Sequence, residues 1–103
     1  MQDLKAELTA SLDEAEWQWL LPHLSRDSLI VVTPELNIVD VGVAIANNNV
    51  PLVQNWISQE LIHKPSLNQM ADWQNNLNKK FQALIVQPFV LIQEPATTNQ
   101  NSP

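Results

Sequence analysis

The chain has no cysteine and only one glycine, Gly42, among its 103 residues. Without cysteine there is no disulfide framework, no zinc ribbon, no thiol nucleophile and no iron–sulfur ligation. A single glycine excludes the loops that cradle phosphates, because those need several glycines for the backbone to approach the anion. Positive charge is also scarce. Lys5, Arg26, Lys64, Lys79 and Lys80 face 11 acidic side chains, for a formal net charge of −6. Such a surface repels phosphate backbones instead of releasing their counterions, so neither nucleic acid nor an anionic membrane is an expected partner. No apolar run approaches the roughly 20 residues of a spanning helix. Met1–Lys5 leads into an amphipathic pattern and not into a secretory core. The expected location is the cytoplasm, which the absence of cysteine fits. No motif calls for a cofactor or a metal.

What is present suffices for a packed core. Hydrophobic residues make up 45% of the chain and charged residues 16%, a balance that offsets the entropy of ordering without a covalent or metal staple. The expected organisation is one globular domain over residues 1–94. The polar, proline-flanked stretch 95–103 is expected to be a disordered tail. No internal repeat is found.

Leu4, Leu8 and Leu12 recur at four-residue spacing, the stripe of a short amphipathic helix. Ser11, followed three residues later by Glu14, has the form of a capping box and predicts that a second helix starts there. Pro22 lacks an N–H donor and predicts a kink or an end near Leu21. Leu29–Thr33 is β-branched, apolar and stopped by Pro34, as a short buried strand would be. Residues 38–46 fit two periods. Val39, Val41, Val43 and Ile45 would share one face of a strand, whereas Ile38, Val41 and Ile45 keep helical spacing. The helix is favoured by Ala44 and Ala46 and by the stop at Asn47–Asn49. Asn49 would then cap a helix from Val50 to about Leu61, with Pro51 in its first turn. Ser66 and Gln69 form a second capping-box pattern. Phe81–Glu94 reads as one strand bent at Pro88 or as two short ones.

Candidates for chemistry are few. His23 and Asp27 would lie one helical turn apart, a spacing that suits two metal ligands or an acid–base pair. Incidental spacing explains them more simply. His63 stands beside Lys64 and Pro65 in a loop, which reads as a surface position. No elbow glycines flank any serine, and Asp13, Glu14 and Glu16 sit where nothing would raise a carboxyl pKa. Lys79 and Lys80 could grip an anion, although solvated lysines at a strand start also discourage edge pairing. The four tryptophans stand out more. Trp19 and Trp56 are expected in the core. Trp17 points away from Trp19 on a helix, so it becomes the leading exposed or interfacial aromatic, followed by Trp73. Phe89 joins them on the second apolar face of the last strand segment.

Three stretches taken together, DEAEWQWL at Asp13–Leu20, DVGVAIANNNVPLVQNWI at Asp40–Ile57 and FQALIVQPFVLIQE at Phe81–Glu94, resemble a small bacterial family of unknown function common in cyanobacteria. The likeness spans nearly the whole chain apart from the tail and implies no activity, cofactor or catalytic residue. AIANNNVPLVQNWI is also similar to the paired helices of an ankyrin repeat, which bears on local shape alone.

The expected fold is α+β, with four or five short helices on a small, mainly antiparallel sheet. Val41, Ile45, Val53, Ile57, Leu84, Val86 and Ile92 are the expected core. The first functional expectation is a non-enzymatic module that binds a protein partner or itself. The alternative is a small-ligand or enzymatic site where His23, Asp27 and Lys79 or Lys80 converge. A homodimer is expected because the last strand segment carries Leu84, Val86, Val90 and Ile92 on one face and Ala83, Ile85, Phe89 and Leu91 on the other. Two apolar faces exceed what the helices of so small a chain would cover. If the helices do cover both faces, a monomer follows.

Overall fold

The computed structural model describes residues 3–94. Helix α1 (Leu4–Ser11) leads to strand β1 (Asp13–Glu16) and helix α2 (Trp17–Ser25), then to β2 (Leu29–Val32). The helical hairpin α3 (Ile38–Ala46) and α4 (Val50–Ser58) follows, then β3 (Ile62–His63), α5 (Leu67–Gln74), β4 (Lys80–Val86) and β5 (Phe89–Gln93). The strands form one sheet in the order β1-β4-β5-β2-β3. Its pairings are antiparallel except β2 with β5, which is parallel. The α+β architecture is therefore as expected, with a mixed sheet.

Two apolar layers flank the sheet. On one face Trp17 and Leu20 of α2 and Trp73 of α5 pack on Leu29, Val31, Phe81, Val90 and Ile92. Trp17 and Trp73 meet edge to face at 4.9 Å between ring centroids, as do Trp73 and Phe81, the arrangement that ring quadrupoles prefer. On the other face Ile38, Val39 and Val41 of α3 pack on Val32, Ile62, Leu84, Val86 and Leu91, with Leu8 of α1 and Val53 and Trp56 of α4 at the margin. Gly42 lets α3 lie close to the sheet. A Cβ there would stand 2.8 Å from Cδ2 of Leu84 and 3.2 Å from Cδ1 of Leu8.

The helix starts follow local chemistry. The Oδ1 of Asn37 accepts from the N–H groups of Val39 and Asp40, and the Oδ1 of Asn49 accepts from Leu52. Ser66 and Gln69 complete a reciprocal capping box. Residues 38–46 are helical, because that capped start and the buried Ile38, Val39, Val41 and Ala44 place one stripe on the sheet.

Four expectations are corrected. The second helix starts at Trp17 and not near Ser11, because the Ser11 hydroxyl donates to the Glu7 carbonyl inside α1. Its chain then pairs as β1 with β4. The first N–H groups of α2 go to loop carbonyls, Trp17 to Lys79 at 2.8 Å and Gln18 to Leu77 at 3.0 Å. These supply from a distant loop what a capping side chain would give. The helix does not stop at Leu21. It carries the exposed Pro22 and continues to Ser25.

The last segment is two strands turning at Gln87-Pro88, a cis peptide bond, with Val86 opposite Phe89. Phe89 and Leu91 therefore share a face with Leu84 and Val86, while Val90 and Ile92 share one with Ala83. The expected assignment of Val90 and Ile92 to the Leu84 face assumed that the alternation ran through the turn unchanged. Finally, helices of the same chain cover both sheet faces, which removes the uncovered strand face on which the expected homodimer was argued. Residues 95–103, expected as a tail, lie outside the described residues.

Candidate functional site

Helix α4 is built differently from its neighbours. Its sequence VPLVQNWIS carries six large or cyclic apolar residues, yet none of its residues is buried. Val53 and Trp56 rest on the margin of the core, whereas Val50, Leu52 and Ile57 are exposed, Ile57 by 53%. A helix that spends half its apolar surface on water has usually kept that surface for a partner.

Beside α4 lies a groove of about 700 Å³. Its floor is Ile30 and Ile62 from the sheet, one wall is Ile45 of α3 with Val50, Val53 and Ile57 of α4, and the other is the β4–β5 turn with Pro88 and Phe89. That volume falls within the range of ligand-binding clefts. Polar groups occur at its margin: Asn48, Asn49, Gln54, Gln87, His63 and Lys64. Among the described residues no carboxylate lines it, in a chain with 11 acidic side chains. Lys64 is committed to an ion pair with Asp27, and the His63 Nδ1 lies 2.8 Å from the Lys64 carbonyl oxygen. The groove offers apolar contact and amide hydrogen bonding. It offers no nucleophile beside a base.

The residues singled out from the sequence scatter relative to this groove. Trp17 and Trp73 are buried at 0% and 3% exposure, so neither serves as an exposed aromatic. Trp17 opens α2 directly against the sheet, a geometry fixed by β1, which the sequence pattern did not disclose. Trp19, expected in the core, is 59% exposed, and Trp56 is half-buried. Phe89 alone of the three interaction candidates reaches the groove. Ile57, placed in the expected core, stands at its exposed lip.

The alternative constellation does not assemble. Asp27 pairs with Lys64, next to edge strand β3, whereas Lys80 pairs with Glu14 of the opposite edge strand β1 and Lys79 with Glu94. His23 offers its carbonyl to Ser28 at the end of α2. Among the described residues no three histidine or acidic side chains come together as metal ligands. No helix there is long and apolar enough to cross a membrane.

The signal that marked the groove in the sequence is the stretch from Val41 to Gln59, which contains no charged residue although acids and bases punctuate the rest of the chain. A buried element explains such a stretch at α3. It does not explain α4, whose exposed face is equally uncharged.

No curated protein matches this chain. Its fold is shared with a Pseudomonas aeruginosa protein, PA1075, whose solution structure was determined by NMR. The two are 26% identical, with a TM-score of 0.79 over 99% of this chain and 94% of that one. The family model described as a protein of unknown function, DUF2288, matches residues 3–94, so the chain belongs to that family.

Proposed function

We propose that the protein is a non-enzymatic interaction module of the cytoplasm that binds a protein partner through the groove between α4 and the β4–β5 turn. The observation that carries this reading is the groove itself, apolar on floor and walls, amide-rimmed, and continuous with the exposed side chains of α4. The desolvated centre of a protein interface has this composition, with charge kept out and apolar side chains gathered. Chemical transformation would need a base or nucleophile aimed into the cavity, and the Lys64 ammonium beside it already faces Asp27.

A photo-crosslinking side chain at Ile57, read in the living cell, tests the reading. It should capture one defined protein partner, while the same group at Leu67, which is 81% exposed on α5, should not. Equal and diffuse labelling from both positions would show that α4 is ordinary surface.

A further inference from the structure

We infer that the partner seated in this groove is a second copy of the same chain, docked by its own α4 in a two-fold dimer. The inference rests on the reading of the groove as a protein-binding surface and adds the identity of its occupant.

The first argument is shape. A two-fold interface uses the same patch on both subunits, so that patch must carry both a projection and the recess that receives it. Here the two lie side by side. Val50, Leu52 and Ile57 project from α4, and the recess runs between α4 and Phe89. An apolar recess whose own rim carries the matching apolar knobs is self-complementary. A recess serving only a foreign helix needs no exposed apolar side chains beside it, and these would be left in water when the site was empty.

The second argument is charge. Each chain carries −6, so two copies repel wherever their acidic surfaces meet, and like charges forced together at an interface oppose association strongly. The acids of α1 and β1, among them Asp3, Glu7, Asp13, Glu14 and Glu16, bar contact there. The region from Val41 to Gln59 and the facing turn Gln87–Phe89 hold no charge at all. This face allows two such chains to approach without bringing carboxylates together. It also leaves no buried ion without a partner, because neither copy contributes one. The rim amides, Asn48, Asn49, Gln54 and Gln87, both donate and accept. They can therefore pair with their own symmetry mates, a property that a ring of lysines or carboxylates lacks.

The test is sedimentation equilibrium of the intact chain across the micromolar range, compared with Ile57→Glu and with Leu67→Glu as a control. The expected wild-type mass is twice 11.7 kDa. Ile57→Glu should weaken dimerisation by at least about tenfold and keep the wild-type melting temperature measured at high dilution, since a half-exposed side chain leaves its carboxylate in water. Leu67→Glu should sediment as the wild type does. A wild-type chain that stays at 11.7 kDa throughout overturns the second copy as occupant. A dimer that ignores Ile57→Glu overturns it too, because it would be held elsewhere. The broader reading is separable: a monomer whose crosslinker at Ile57 captures a different protein keeps the groove as a docking surface, and one that captures nothing loses both.

Discussion

The Cα of Gly42 lies so near Leu84 that an added Cβ would stand 2.8 Å from the Leu84 Cδ2, closer than carbon atoms pack. Cδ1 of Leu8 and Cγ2 of Val86 would each lie at 3.2 Å. Three apolar side chains from α1 and β4 thus converge on the space of one missing methyl. Glycine in a helix interior costs about 0.8–1.0 kcal/mol relative to alanine, and that cost is accepted here so that α3 can reach the sheet.

Gly42→Ala should therefore destabilise the protein by about 1 kcal/mol, although alanine is the better helix former. Overpacking a filled core costs roughly 1–3 kcal/mol, which exceeds the propensity gained. Urea denaturation read by far-ultraviolet circular dichroism measures the difference. A stabilised variant would mean that the Leu84 and Val86 methyls retreat freely, and that the layer is looser than its burial implies.

The aromatic cluster on the opposite face makes a second prediction. Trp73→Ala should cost about 3–5 kcal/mol, the usual range for removing a buried large aromatic, because its ring touches both Trp17 and Phe81. Trp17→Phe should cost only about 1 kcal/mol. The Nε1–H of Trp17 is buried and meets no acceptor among the described residues. Phenylalanine discards that unpaired donor, worth roughly 1–3 kcal/mol of penalty, and so offsets part of the ring volume lost. Equal losses for the two variants would place an acceptor beside Nε1.

The two serines with capping-box patterns separate what the sequence discloses from what it does not. Ser66 and Ser11 are each followed three residues later by Gln or Glu, and local chemistry alone cannot tell them apart. Only Ser66 opens a helix. Ser66→Ala should cost about 1 kcal/mol, and Ser11→Ala should stay within about 0.5 kcal/mol, because its exposed hydroxyl only bonds back to Glu7 within α1. Thermal melts of both variants check this pair. A larger loss at Ser11 would mean that its bond to Glu7 holds the last turn of α1.

The same contrast explains which elements were legible. Strand β2, helices α1, α3 and α5 and the start of α4 carry their own caps, stops and apolar stripes, all within a few residues. Strand β1 carries none. DEAE has poor strand propensity and becomes a strand because β4 offers it an edge, a partner about 65 residues away in sequence that no local pattern reveals. Once β1 was read as helix, the phase of Trp17 and Trp19 was set wrongly and their burial came out exchanged. The groove was hidden for a related reason: Phe89 changes face through the Gln87-Pro88 turn, and Ile57 has a core residue's chemistry at an exposed position.

The scarcity of glycine leads to the last prediction. Helices α2, α3 and α4 each end in a residue with positive φ, Asp27 at 61°, Asn48 at 57° and Glu60 at 62°. Each is followed by the paired bonds of a Schellman motif: Ser28 to His23 with Asp27 to Leu24, Asn49 to Ala44 with Asn48 to Ile45, and Leu61 to Trp56 with Glu60 to Ile57. Glycine is the usual occupant of that position, and a residue with a Cβ is disfavoured there by roughly 1–2 kcal/mol. Asparagine and aspartate bear the left-handed conformation better, because a short polar side chain can bond locally. Glutamate has no such relief. Glu60→Gly should accordingly stabilise the protein by about 0.5–1 kcal/mol, the conformational strain removed less the extra entropy of glycine in the unfolded chain. Asn48→Gly should gain only a few tenths, and Asp27→Gly should fall between, offset by loss of the exposed pair with Lys64. Melting temperatures of the three single variants give the order directly. If Glu60→Gly is neutral or destabilising, the Glu60 side chain has a favourable contact that outweighs its strained backbone.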